Sequence, residues 1–308
     1  MLFSISTLGL YEMPMSQTDN ALPKDGLTLV QAWAAARRRL EAGGIEGPVI
    51  DARLMLEAAA GARRTDIVTD PYRVLSPDQI QTLDSFLNRR VGREPVSHIL
   101  GKKGFWTIEL KVTPDVLTPR PDTEVIVDYV LKTLKPDQPL HMLDLGVGSG
   151  AILLAILSER VVATGLGVDI SPAALEVATE NAALMGLTDR AQFLHADWTE
   201  GQPDGHYDLV VSNPPYISSA VIETLEPEVR VHEPRLALDG GKDGLEAYRK
   251  LAGEVLRVLK PGGLFALEIG FDQSRPVEAL MRHAGAKGVR TLKDLSNRHR
   301  VVVGTKNL

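Results

Sequence analysis

From residue 139 onward the chain alternates short apolar runs with longer segments of helical period. HMLDL (141–145), GLGVDI (165–170), AQFLHAD (191–197), YDLVVSN (207–213) and GLFALEIG (263–270) read as buried strands. AILLAILSE reads as a helix. So does the segment with Ser171 as cap, Pro172 at its first position and Gly186 after its end. A further helix is predicted from about Leu245 to Leu259, followed by a turn at Lys260-Pro261-Gly262-Gly263. One more helix after Arg275 precedes two last strands, GVRTL and RVVVGT. Strand–helix alternation of this kind predicts an α/β fold built on a parallel sheet.

The first hundred residues carry a different pattern. Leu27, Leu29, Val30, Trp33, Ala34 and Leu40 recur at helical spacing up to Gly43-Gly44. Pro48 opens a second helix that Gly61 closes. Ser76-Pro77-Asp78-Gln79 is a capping box with proline at the first position, opening a third helix to about Val91. These helices predict a small bundle, with Arg37-Arg38-Arg39 on a solvated face. Between the two patterns, FWTIELKV alternates as a strand does, with a turn at Gly101–Gly104 before it, so a β-hairpin is expected there. Thr118-Pro119-Arg120-Pro121-Asp122 breaks structure ahead of a helix from Glu124 to about Leu134. The expected organisation is a disordered tail over 1–22, a helical domain over 23–95, a hairpin connector over 96–119 and an α/β domain over 120–308.

Composition narrows the chemistry. Hydrophobic residues make up 44% and charged residues 24%, the mixture of an ordinary globular protein. With no cysteine, disulfide scaffolds, thiolate metal sites and thiol catalysis are excluded, and the seven histidines form no metal-ligand pair, so no metal is expected. The net charge of −6, from 34 basic and 40 acidic residues, argues against a general nucleic-acid binder. No run approaches the ~18 apolar residues of a membrane span. The apolar start MLFSISTLGL lacks a preceding positive charge, the first basic residue being Lys24, so a cytoplasmic protein is expected.

The strongest local signal is LDLGVGSGAIL between a strand and a helix. Gly146, Gly148 and Gly150 allow a tight turn and close approach of a ligand to the backbone, with Val147 and Ser149 between them. Asp169 ends the next strand, where a carboxylate can accept from vicinal ribose hydroxyls. That much fits either NAD or S-adenosylmethionine. Asp144, in the form Asp-x-Gly-x-Gly, and Asp197-Trp198 after the third strand favour the second, since a carboxylate can take the adenine amino group while an indole stacks on the ring.

Asn213-Pro214-Pro215-Tyr216 ends a strand at the carboxyl edge, where open α/β sheets bind ligands. The two prolines lack N–H donors and restrict the preceding backbone. The loop therefore presents acceptors, suited to a planar –NH2 that donates to the Asn213 side-chain carbonyl and the Pro214 backbone carbonyl while Tyr216 packs on its π face. Two acceptors can hold such a weakly nucleophilic nitrogen against a methyl donor and stabilise its developing charge.

With these motifs the chain resembles the bacterial peptide chain release factor glutamine methyltransferases. The resemblance spans nearly the whole length, through EPVSHILGKKGFW, TPRPDTE, LDLGVGSG, VDIS, NPPY and HEPRLALDGGKDGLEAYR. It implies a class I S-adenosylmethionine-dependent methyltransferase fold, with a Rossmann-like mixed sheet of seven strands, a small N-terminal helical bundle for substrate recognition and a β-hairpin connector. It also implies S-adenosylmethionine as methyl donor and the glutamine of a Gly-Gly-Gln motif as acceptor. Carried over by motif, Gly146, Val147, Gly148, Ser149, Gly150, Asp169, Trp198 and Asn213 would bind the donor. Asn213, Pro214, Pro215 and Tyr216 would hold the glutamine and carry catalysis, with Phe105 of the hairpin as a wall. Val147 stands where relatives commonly have threonine, so a hydroxyl contact is lost there.

Rival readings fit less well. An adenine-N6 methyltransferase would need a recognition domain and a basic groove, and an NAD-dependent dehydrogenase leaves NPPY unexplained. A non-catalytic adaptor that binds release factors or ribosomes has no need of the glycines, Asp169 and Asn213 together. The expected partners are release factors, with no membrane and no direct nucleic acid.

Overall fold

The computed structural model describes residues 21–308, in two compact units that divide between Val96 and Ser97. Most of the tail expected over 1–22 lies outside the described residues.

The first unit is helical: α1 (Leu29–Ala42), α2 (Pro48–Ala60), a single turn α3 (Asp66–Thr69) and α4 (Pro77–Val91). Both α1 and α4 start on a full capping box, Thr28 with Gln31 and Ser76 with Gln79, each satisfying two otherwise orphan N–H groups. The apolar faces (Leu29, Ala32, Ala36 and Leu40 of α1, Met55 and Leu56 of α2, Leu83 and Leu87 of α4) are fully buried. Arg90 is buried too and is neutralised by Asp51 at 2.7 Å. In the arginine run, Arg37 pairs with Glu41 at 3.2 Å and Arg39 with Asp84 at 2.6 Å.

The short helix α5 (Val96–Leu100) spans the division. The hairpin β1 (Lys102–Phe105) and β2 (Ile108–Lys111) follows, inside the second unit. The structure corrects the expected turn. Gly101–Gly104 does not form it; Lys102 to Phe105 are strand, and the chain reverses at Trp106-Thr107, with Trp106 at φ +54°. Glu124 Oε1 accepts the Trp106 N–H at 2.9 Å and stabilises that unusual backbone. The hairpin is tied to its own unit through Asn181, which accepts from Lys111 N at 2.7 Å and donates to Lys111 O at 3.0 Å.

A 3-10 turn, Pro121–Thr123, leads into α6 (Glu124–Thr133). Then β3 (His141–Leu145), α7 (Ala151–Glu159), β4 (Thr164–Asp169), α8 (Pro172–Leu184), β5 (Ala191–His195) and β6 (Tyr207–Ser212) alternate. After the short helices α9 (Ser219–Ile222) and α10 (Pro227–Arg230) come α11 (Glu246–Val258), β7 (Leu259–Glu268), α12 (Ser274–His283), β8 (Lys287–Lys293) and β9 (His299–Thr305). The sheet has seven strands in the order β5-β4-β3-β6-β7-β9-β8, parallel from β5 to β7, with β9 antiparallel to both neighbours.

The expected turn at Lys260–Gly263 is a bulge inside β7. Leu259 pairs with Tyr207 and Leu264 with Leu209, so the intervening residues loop out without ending the strand. Apolar side chains cover both faces of the sheet, one with α6, α7 and α8 and the other with α11 and α12. Chain order reverses between β3 and β6, and Ser212 Oγ, bonded to Leu145 O at 2.6 Å, joins those strands at their carboxyl ends. A crevice is expected at such a reversal.

Candidate active site

A cavity of about 350 Å³ opens there, lined entirely by the second unit. Gly146, Val147, Gly148 and Ser149 form one wall, and Asp169, Trp198, Asn213 and Pro215 also face it. The glycine turn is built as its sequence requires. Gly146 and Gly148 have φ of +72° and +54°, conformations costly for residues with a Cβ. Gly150, the N-cap of α7, also has a positive φ, +85°, and does not line the cavity; a Cβ there would fall 2.9 Å from Leu154 Cδ1.

Two aspartates brace the turn. Asp169 accepts from Gly148 N and, with its other oxygen, from Ser171 N, both at 2.9 Å. Asp144 is 1% exposed and accepts from Leu153 N at 3.1 Å, satisfying an orphan donor in the first turn of α7. Its Oδ1 has no hydrogen-bond partner among the described residues. Burial, aided by the nearby Asp169 charge and opposed by the Leu153 hydrogen bond, pushes the Asp144 carboxyl up to about 7.

The Asn213–Tyr216 loop is clamped on several sides. Asn213 Nδ2 donates to Thr123 Oγ1 at 3.4 Å and Tyr216 Oη to Glu268 Oε1 at 3.4 Å. Gln273 Nε2 donates to Tyr216 O at 2.9 Å and to Gly244 O at 3.1 Å. The segment Leu238–Gly240 pairs with the chain just after the loop, through Ile217 N to Leu238 O at 3.0 Å and Gly240 N to Ile217 O at 2.8 Å. A Cβ on Gly240 would lie 2.8 Å from Pro215 O, and one on Gly244 2.4 Å from Tyr216 O. Gly240 and Gly244 of LDGGKDG are therefore present because backbone meets backbone under the loop.

Gly150 and three further sequence-predicted residues lie off the cavity lining. Pro214 is buried, Tyr216 is half-buried with its hydroxyl turned to Glu268, and Phe105 belongs elsewhere. The expectation that Phe105 forms a wall is corrected: at 2% exposure it sits in the apolar core of its unit, where a large aromatic side chain ending a strand is best buried.

The structure also adds residues that sequence reasoning missed. Asp115, Pro119, Arg120 and Thr123 line the cavity from the segment before α6, and Glu246 and Lys250 from α11. Arg120 pairs with Glu233 at 2.6 Å, fastening TPRPDTE to HEPRLAL. Burial raises the Glu233 carboxyl, and the Arg120 charge opposes that rise. Among the described residues, no cluster of His, Asp and Glu could hold a metal ion and no helix is long and apolar enough to cross a membrane.

The sheet order, the glycine turn and the acidic strand end define the second unit as a methyltransferase of class I architecture, and residues 136–285 match the family model described as "Methyltransferase domain". Residues 31–101 match a second, "PrmC N-terminal domain". A release factor glutamine methyltransferase from Caulobacter vibrioides is 66% identical over 91% of this chain and 97% of its own length. Proteins of the same name from Agrobacterium fabrum and Rhodospirillum rubrum are 42% and 43% identical, over 87% and 95% of this chain and 94% and 88% of their own. The chain belongs to the release factor glutamine methyltransferase family.

Proposed function

We propose that this protein transfers a methyl group from S-adenosylmethionine to the side-chain amide nitrogen (N5) of the glutamine in the Gly-Gly-Gln motif of bacterial peptide chain release factors, and that it does so in the cytoplasm. The observation that carries the reading is the shared cavity: Asn213 and Pro215 line the same space as the glycine turn, Asp169 and Trp198. Nucleophile and donor would meet there without a change of fold.

The lining fits the donor. Asp115, Asp169 and Asp197 face the cavity, and Trp198 offers an indole to a purine ring. Acidic side chains suit a ligand with cationic sulfonium and ammonium groups. Asp169 would hold the ribose hydroxyls, and Gly146 and Gly148 would let the ligand approach the backbone. When bound, S-adenosylmethionine supplies an electrophilic methyl group.

The loop's part is to hold the acceptor. Asn213 Oδ1 and the Pro214 carbonyl would each accept an N–H from the glutamine amide. As the N–C bond forms and the S–C bond breaks, these acceptors stabilise positive charge on nitrogen, which then loses a proton to water. No general base is required.

Incubation with labelled S-adenosylmethionine and either purified release factor or duplex DNA, followed by peptide mapping, tests the proposal. Label on the Gly-Gly-Gln glutamine is the expected result. Label in the DNA, or on another residue of the factor, overturns it.

A further inference from the structure

The segment that carries Arg120 and Thr123 to the cavity wall is not held by strand pairing. Pro119 and Pro121 have no N–H to donate. Two side-chain ties of opposite sign hold it instead. Arg120 reaches Glu233 on one side, and Asp122 reaches Arg300 of β9 at 3.0 Å on the other. Thr123 N donates to Arg120 O at 3.1 Å, so both ties act on one closed turn. Arg300 is buried, and its permanent charge must be met inside the protein. Asp294 meets it only at long range: Oδ2 accepts from Nε at 3.4 Å and from Nη2 at 3.3 Å, while Oδ1 is taken by Ser296 N and Arg298 N. Asp122 is the closer partner, so drawing the turn away from β9 would leave a buried guanidinium poorly paired.

Asp122 and Arg300 both lie off the cavity lining, but the residue after Asp122 is part of it. Thr123 is buried, and its Oγ1 accepts from Asn213 Nδ2 at 3.4 Å. That length is at the far end of the hydrogen-bond range, so moving the turn by about 0.3 Å is enough to break the contact. We propose that Asp122, held by Arg300, is a positioning residue: the ion pair seats the Pro121–Thr123 turn so that Thr123 keeps the Asn213 side chain in place for the acceptor amide. The inference deepens the amide-methylation reading and rests on it. It gives β9, a strand outside the cavity lining, a part in catalysis.

Full-length D122N, T123V and the double variant test it. D122N removes charge from the more exposed partner and leaves Arg300 with Asp294, so the fold should survive. The kcat for release-factor methylation should fall about 10- to 100-fold in D122N, up to the cost of misplacing a reacting group by 1 Å. The Kd for S-adenosylmethionine, read by calorimetry, should stay within about twofold of wild type, because the loss falls on the chemical step. In the T123V background D122N should cost less than about twofold further, since no hydroxyl is left for the turn to place. Wild-type kcat in D122N, an equal cost of D122N in both backgrounds, or a matching loss of donor affinity overturns the proposal. A substrate-free readout accompanies these. In asparagine-labelled protein, the Asn213 side-chain NH2 resonance, assigned by its loss in N213D, should shift on adding D122N to wild type but not on adding it to T123V. A resonance that D122N leaves unchanged in wild type also overturns the positioning role. A wild-type protein that leaves the glutamine unmethylated would instead overturn the functional reading, and the resonance would still decide the role of Asp122.

Discussion

Asp169 Oδ2 accepts the Gly148 N–H at 2.9 Å, so the carboxylate that ends β4 also closes the glycine turn that follows β3. Its Oδ1 accepts from Ser171 N, the cap of α8, at the same distance. Each oxygen keeps a further lone pair for a ligand. Asp169 is thereby fixed in place before any donor arrives, and its removal would affect the turn as well as the contact.

Asp169→Ala should weaken S-adenosylmethionine binding by about 1.5–3 kcal/mol, the scale of a hydrogen bond to a charged group. Isothermal calorimetry on the folded variant measures this directly. Unchanged affinity would remove Asp169 from the donor site.

Asn213→Ala should lower the single-turnover methylation rate by ~10²–10³, since it deletes a positioned transition-state contact. Asn213→Asp keeps an acceptor oxygen and should retain more activity than alanine. Wild-type rates in Asn213→Ala, with methyl still reaching the glutamine, would reduce the loop to scaffolding.

Gly240→Ala tests the backing of that loop. The new Cβ would stand 2.8 Å from Pro215 O and 2.9 Å from Tyr216 Cα, so the loop must move away. A displacement near 1 Å costs up to ~10²-fold in rate when it misplaces a reacting group. Donor affinity should hold, because Gly240 does not touch the glycine turn. Equal loss of donor binding would mean that the substitution disturbs the whole cavity.

A chain beginning near Ser97 should still bind S-adenosylmethionine, whose proposed contacts all lie in the second unit, but should methylate intact release factor poorly. Full activity on intact factor would deny the helical unit a part in substrate recognition.

What was readable in the sequence was whatever depends on local backbone constraint. The capping boxes at Thr28 and Ser76, the positive φ of Gly146 and Gly148, and the paired prolines after Asn213 are properties of a few adjacent residues. The seven strands were likewise marked by apolar runs. The supports of the site were not readable, because each is a buried polar contact between residues far apart in the chain. Thr123 meets Asn213 across 90 positions and Tyr216 meets Glu268 across 52. Neither Glu268, inside the strand predicted over 263–270, nor Gln273, between that strand and the next helix, carries a local sequence signal of its contact. Phe105 failed for the opposite reason: the motif around it was recognised, but whether an aromatic at a strand end faces a ligand or the core is settled by packing.

The two buried carboxyls make stability depend on pH in an uncommon direction. Burial, the largest cause for each, raises Asp144 from 3.8 and Glu268 from 4.5 to about 7. Between their unfolded values and about 7, the folded chain holds protons that the unfolded chain has released. Folding therefore takes up protons, and stability contributed by these groups is greatest below about 4 and falls as pH rises to about 7. Above that it is level. The slope approaches 1.4 kcal/mol per pH unit for each proton taken up. Carboxyls with lowered values, such as Asp239 and Glu254, lose their contribution only at more acid pH, outside this window. His141, lowered chiefly by burial, works the other way near its ordinary 6.5, so the test is a difference between chains. Asp144→Asn keeps an oxygen for the Leu153 N–H and cannot ionise. Urea unfolding at pH 5 and pH 8 should show wild type losing stability relative to Asp144→Asn as pH rises. The gap should favour the variant by more than about 1 kcal/mol at pH 8. A constant difference across that range would show that Asp144 is ionised in the folded protein throughout, and that its unpartnered oxygen is solvated after all.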